Sequence, residues 1–167
     1  MFDKYQLPIE EFGYFCQKNN TMFTALQHTQ SGLRWVALIL LITAIFNAIA
    51  SKSKGEYLKK DKMINLFTMI VLHTQLLFGL LLYFQSPKVQ FSQGWMKDAM
   101  LRFYGMEHFL MMVIAIVLVT IGRKKAEKAD APITKHQKIV VWYTIALLVI
   151  IAAIPWPFRS ALGGQWF

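Results

Sequence analysis

Met63-Ile-Asn-Leu-Phe-Thr-Met-Ile-Val-Leu-His-Thr-Gln-Leu-Leu-Phe-Gly-Leu-Leu-Leu-Tyr-Phe84 contains no acid, no lysine and no arginine. A helix needs about 20 such residues to cross the hydrocarbon of a bilayer. Apolar side chains lie all round this segment rather than on one stripe, so a soluble amphipathic helix is a poor description of it. Three more stretches read the same way, Ser31 to Ala50, Phe103 to Ile121 and Ile139 to Phe158. The whole chain is 56% apolar with a mean hydropathy of +0.40, above the range of soluble domains. The expected fold class is all-α, a polytopic membrane protein built as one bundle of four transmembrane helices. In domain terms, residues 22–167 form that bundle, with spans at 31–50, 63–84, 103–121 and 139–158. Residues 1–21 mix Asp3, Pro8, Glu10, Glu11 and Gly13 without the apolar core of a signal peptide. They read as a short exterior tail, or as a start taken too early, with Met22 the natural first residue.

Charge sets the expected orientation. Of the 18 lysines and arginines, eleven lie after the first and third spans, at Lys52, Lys54, Lys59, Lys60, Lys62, Arg123, Lys124, Lys125, Lys128, Lys135 and Lys138. Alternation puts both groups on one membrane side. The positive-inside rule then makes these loops cytoplasmic and places both termini outside, as in a bacterial inner membrane. Nucleic acid is an unsuitable partner for the +9 net charge, because the basic loops carry no aromatic residue except Tyr57. Acidic lipid is the natural counterpart. The single cysteine, Cys16, excludes an internal disulfide and a thiolate cluster.

Local signals place the helix ends. Helix 1 begins near Thr24, which leaves His28 at or beyond the outer interface. Gly55 and its lysines form a short inner turn. Helix 2 stops at Gln85-Ser86-Pro87, Asp98 caps helix 3, and Gly122-Arg123 stops it. Ala131-Pro132 breaks the second basic loop, and helix 4 stops in Ile154-Pro-Trp-Pro-Phe. Helix 4 so drawn carries no histidine or charge and acts as packing support.

Histidines inside apolar helices carry the chemistry. An ionisable group in hydrocarbon is costly and reads as a functional site with a partner. At about 1.5 Å per residue, His73 lies roughly 15 Å from the inner end of its helix, His108 roughly 20 Å and His28 roughly 33 Å. His73 and His108 thus share a level within about one turn, as two axial ligands of a b-type haem would. Gly105 and Gly32 lie on the faces of His108 and His28, where a porphyrin would approach the backbone. Arg34 and Arg102, at outer helix ends, suit the propionates, and Arg159 does so less directly. Glu107 is placed to pair with Arg102 or Arg34. His136, in the basic loop, reads as solvated. Leu26-Gln-His-Thr-Gln is echoed by Val71-Leu-His-Thr-Gln. No His-x-x-x-His, Glu-x-x-His or cysteine cluster offers a zinc or di-iron site.

Four segments, His28-Thr-Gln-Ser-Gly-Leu-Arg-Trp, Leu72-His-Thr-Gln-Leu-Leu-Phe-Gly, Met106-Glu-His-Phe-Leu-Met-Met and Ile154-Pro-Trp-Pro-Phe, resemble a family of small four-helix membrane proteins labelled cytochrome b. More loosely, the chain is similar to one four-helix half of haem A synthase, from which it differs in having no histidine in its fourth span. The resemblance covers about Met22 to Phe158. It implies a four-helix inner-membrane bundle with His28, His73 and His108 as contacts to haem.

The expected function is a membrane b-type cytochrome or haem-binding subunit. It would pass electrons between quinol and a redox partner in a larger respiratory or membrane complex, with His73 and His108 on the metal. His28, Arg34 and Arg102 would complete the haem contacts. Two other readings stay open: a cofactor-free accessory subunit whose histidines bond across helices, and a membrane enzyme that modifies haem or porphyrin.

Overall fold

The structure, a computed structural model, describes residues 9–86 and 88–162, with side chains from residue 21 onward except at 160. It is all-helical among the described residues, with four helices long and apolar enough to span a membrane. These are α1 (Ile9–Lys52), α2 (Lys59–Gln85), α3 (Ala99–Lys128) and α4 (Pro132–Ala153). The chain is a multi-pass membrane protein. Successive helices run antiparallel in a ring, where α3 packs most closely on α4, α1 lies against both α2 and α4, and α2 touches α3 least.

Each helix buries one narrow row at alternating three- and four-residue spacing. The row in α1 is Ala37, Leu41, Ala44, Ala48 and Ser51; in α3 it is Ala115, Val119, Gly122 and Ala126; in α4 it is His136, Ile139, Tyr143, Ala146, Ile150 and Ala153. Small residues dominate these seams, as close helix approach in lipid requires. Large apolar side chains such as Phe46, Phe67, Leu77 and Leu148 point outward instead.

The row in α2 is different. Its inward positions are Asp61, Asn65, Thr68, Leu72, Gln75 and Leu82, four of them polar. Asp61 is 1% exposed and accepts from Asn47 Nδ2 at 2.6 Å, Ser51 Oγ at 3.5 Å and the Leu58 amide at 2.7 Å. It therefore caps α2 and ties it to the end of α1. Asn65 Nδ2 donates to the Tyr57 hydroxyl at 3.1 Å, and Tyr143 of α4 donates to the Asn65 carbonyl at 3.3 Å. Burial pushes the Tyr57 phenol above its usual range and keeps it protonated. Thr68 Oγ1 donates to the Ile64 carbonyl of its own helix at 2.8 Å and lies 3.3 Å from the Leu40 carbonyl of α1.

The helix ends follow the sequence reading in part. α2 stops at Gln85, and Asp98 caps α3 by accepting from the Leu101 amide at 2.8 Å. Gly55 makes the α1–α2 turn with a φ of 68°. Three expectations need correction. α1 does not begin near Thr24 but is helical from Ile9, since no proline interrupts Ile9–Lys52; the rest of the expected tail, residues 1–8, lies outside the described residues. α3 passes through Gly122 to Lys128, because Gly122 is a packing position under Trp142 and Arg123 bridges Glu127 at 2.7 Å one turn on. α4 begins at Pro132, the N1 site where a missing amide costs nothing, and stops at Ala153 with Ile154 extended before Pro155.

The early start of α4 also overturns the solvated reading of His136. The residue falls on the inward row and is 1% exposed. Its Nε2 donates to the Glu56 carbonyl at 2.9 Å, and its ring lies 5.1 Å from that of Tyr57. These contacts join the α1–α2 turn to the start of α4, so both basic segments gather at one end of the bundle.

Two outcomes test this packing. A Cβ at Gly122 would overlap the Trp142 Cβ and lie 3.1 Å from its Cγ, so Gly122→Val is expected to lose about 1–3 kcal/mol of stability by overpacking. Thermal unfolding in detergent, followed by circular dichroism, reads it. Asp61→Ala strands buried donors at about 1–3 kcal/mol each, whereas loss of the exposed Asp98 cap costs about 1 kcal/mol. Asp61→Ala should therefore melt well below Asp98→Ala in the same assay.

Candidate functional site

At the end opposite the basic segments the four helices part around a chamber of about 450 Å³. α1 contributes His28 and Arg34, α2 contributes Gln75 and Gly79, α3 contributes Tyr104 and His108, and the end of α4 contributes Ile154. A Cβ at Gly79 would lie 2.9 Å from the side-chain Nε2 of Gln30, so that flexible side chain would have to shift to admit one. Gln75 Nε2 in turn donates to the Gln30 carbonyl at 3.1 Å. The two His-Thr-Gln segments of the sequence echo thus meet through their glutamines.

His108 is positioned by two irregularities. Phe103–Glu107 forms a π turn, in which the His108 amide donates to the Phe103 carbonyl five residues back. The Tyr83 hydroxyl donates to the Gly105 carbonyl in that turn at 2.7 Å. On the other side, the last carbonyls of α4 have no partner within their own helix. His108 Nδ1 donates to one of them, that of Ala153, at 2.7 Å. A carbonyl only accepts, so the proton sits on Nδ1 and the Nε2 lone pair is left for another partner. This is the arrangement that holds metal-ligating imidazoles in one orientation. Phe103 and Tyr104 pack against the ring at centroid distances of 5.7 and 6.4 Å.

The expected pair, His73 with His108, is not brought together. His73 is exposed on the outer face of α2, where Nδ1 donates to the Met69 carbonyl of its own helix at 2.8 Å, and it does not line the chamber. The inward positions at its level are Leu72 and Gln75. His28 lines the chamber in its place. It shares that chamber with His108.

The arginines divide similarly. Arg34 lines the chamber, with its guanidinium 5.7 Å from the Trp35 ring. Arg102 does not. Its Nε pairs with Glu107 Oε1 at 2.7 Å across the π turn and its Nη1 donates to the Met96 carbonyl at 3.1 Å, so it fastens the loop before α3. Glu107 therefore has one of its two expected partners. Arg159 donates to the Ala152 carbonyl at 3.2 Å and lies over Phe103. Gly105 admits the Trp95 ring, 3.3 Å from where a Cβ would be, and Gly32 borders open space.

Two residues of the chamber, Tyr104 and Lys88, were not singled out from sequence, whereas Gln75 was expected as an interhelical hydrogen-bond partner and is one. Tyr104 stands one turn before His108, a spacing that was legible; it donates to the Leu162 carbonyl at 3.1 Å. Lys88 also lines the chamber, its ammonium 4.9 Å from the Tyr104 ring centroid. Gln75 is 7% exposed, and its Oε1 has no hydrogen-bond partner among the described residues. No group of three or more His, Cys, Asp or Glu side chains gathers among those residues. Groups lining the chamber that can donate to a metal include the imidazoles of His28 and His108, the phenols of Tyr83 and Tyr104 and the thioether of Met112.

No family model matches the chain, and neither does any curated protein or solved structure.

Proposed function

We propose that the chain is a membrane haem-binding protein of the b type, an electron-transfer subunit that works between quinol and a redox partner. The observation that carries this reading is the ring of His108. Its Nδ1 is committed to Ala153, and its Nε2 lone pair remains in a chamber shared with His28 and Arg34. His108 and His28, in place of His73 and His108, are the proposed iron ligands. Arg34 and Lys88 are the cations for the propionates, in place of Arg102. Phe109, Met112 and Ile150 supply apolar wall to the same chamber. A bound haem b supplies one-electron chemistry, and two nitrogen ligands favour electron transfer over oxygen chemistry. The same reading keeps the basic end cytoplasmic in a bacterial inner membrane, with the chamber and both termini on the outer side.

A second reading is favoured by the unmatched Gln75 Oε1. Gln75 and His108 both line the chamber, which suits a ligand carrying hydroxyl donors, such as the headgroup of a hydroquinone.

The pyridine haemochrome spectrum of the detergent-extracted chain separates the two. Haem b near one per chain is expected, lost in His108→Ala and His28→Ala and kept in His73→Ala. A chain without a reducible Soret band ends the cytochrome proposal. Arg34→Gln removes a positive charge that favours the reduced state. The haem midpoint should fall by about 60 mV in redox titration, a tenfold change in a one-electron equilibrium.

A further inference from the structure

A second concavity, of about 530 Å³, opens at the basic end between the last turn of α1 and the first turns of α4. Lys52 and Ile49 line it from α1, while Thr134, Gln137, Lys138 and Val141 line it from α4; no lining residue is acidic. Trp142 also lines it, and the Lys125 ammonium lies 4.5 Å from that ring. Two apolar rows descend from this point. On α1, Ile49, Phe46 and Ile42 follow Lys52 at helical spacing; on α4, Val141, Ile145 and Leu148 follow Lys138. All six apolar side chains are exposed, Phe46 by 67% and Leu148 by 62%. Three- and four-residue steps keep each row on one helix face, and α1 and α4 are packed together. The surface is thus a pair of parallel apolar tracks, each headed by a lysine.

We propose that this groove binds one acidic diacyl phospholipid. Its phosphodiester sits between Lys52 and Lys138, Thr134 and Gln137 offer neutral donors, and its acyl chains follow the two tracks. The lysines match the phosphate charge, and basic pockets between transmembrane helices suit such headgroups. A free phosphate would satisfy the lysines and leave the tracks uncovered. A zwitterionic lipid would bring its own cation against three ammonium groups. The site stands independently of any ligand in the chamber.

Native mass spectrometry of the full chain in detergent tests this, with phosphatidylglycerol, phosphatidylcholine and inorganic phosphate as separate titrants. One phosphatidylglycerol should be retained under activation that strips phosphatidylcholine, and millimolar phosphate should not displace it. Lys52→Gln/Lys138→Gln should weaken that binding about thirtyfold, two interfacial charges being removed. The charge-matched Lys59→Gln/Lys60→Gln should bind as the parent does, and Lys52→Arg/Lys138→Arg should retain binding. Equal retention of the two lipids, displacement by phosphate, or equal loss in both glutamine variants would overturn the proposal.

Discussion

Inside a bilayer no water is present to receive a hydrogen bond, so every polar group facing the bundle interior must find its partner within the protein. The α2 row meets this condition one helical turn at a time, except at Gln75 Oε1. Asp61 reaches Asn47, Asn65 meets Tyr57 and Tyr143, Thr68 bonds within its helix to Ile64 while lying beside the Leu40 carbonyl, and Gln75 Nε2 finds the carbonyl of Gln30. These bonds fix the register of α2 against α1 and α4, where small side chains allow close approach but specify little. Depth, azimuth and helix order all depend on this polar ladder.

The chamber opens where the ladder ends. Past Gln75 the inward face of α2 offers Gly79 and then Leu82, neither of which can bond to a neighbouring helix. On the far side, α3 changes its winding at Phe103–Glu107, and α4 terminates with carbonyls that His108 helps to satisfy. Three local events at one level, a glycine, a π turn and a helix terminus, leave space that four regular helices would have filled.

The four helices and much of their extent were legible in sequence, because length and all-round hydrophobicity suffice for that. The identity of the facing histidines was not. Depth counted along a helix says nothing about azimuth, and His73 has the depth of an inward residue with the azimuth of an outward one. The information was nonetheless present in α2, where Asp61, Asn65, Thr68 and Gln75 recur at inward spacing and His73 falls off their row. The position of His28 was harder to read, since depths counted from the inner ends of separate helices do not fix how those helices are staggered. His136 was missed because Pro132 was taken for a loop breaker when it is the first residue of α4.

The π turn divides α3 into two lengths of different phase. An extra residue in one turn rotates everything before it by about 100° relative to a continuous helix. The Asp98–Arg102 segment, with the Arg102–Glu107 pair and the Trp95 ring seated on Gly105, is aimed by that insertion. A deletion of one codon within 103–107 would leave both the composition and the hydrophobicity of the span almost unchanged. It would nevertheless swing the connecting loop a quarter turn round the rim of the bundle. For this helix, reading frame along the axis matters as much as side-chain chemistry, and homologues should tolerate substitutions there more readily than gaps.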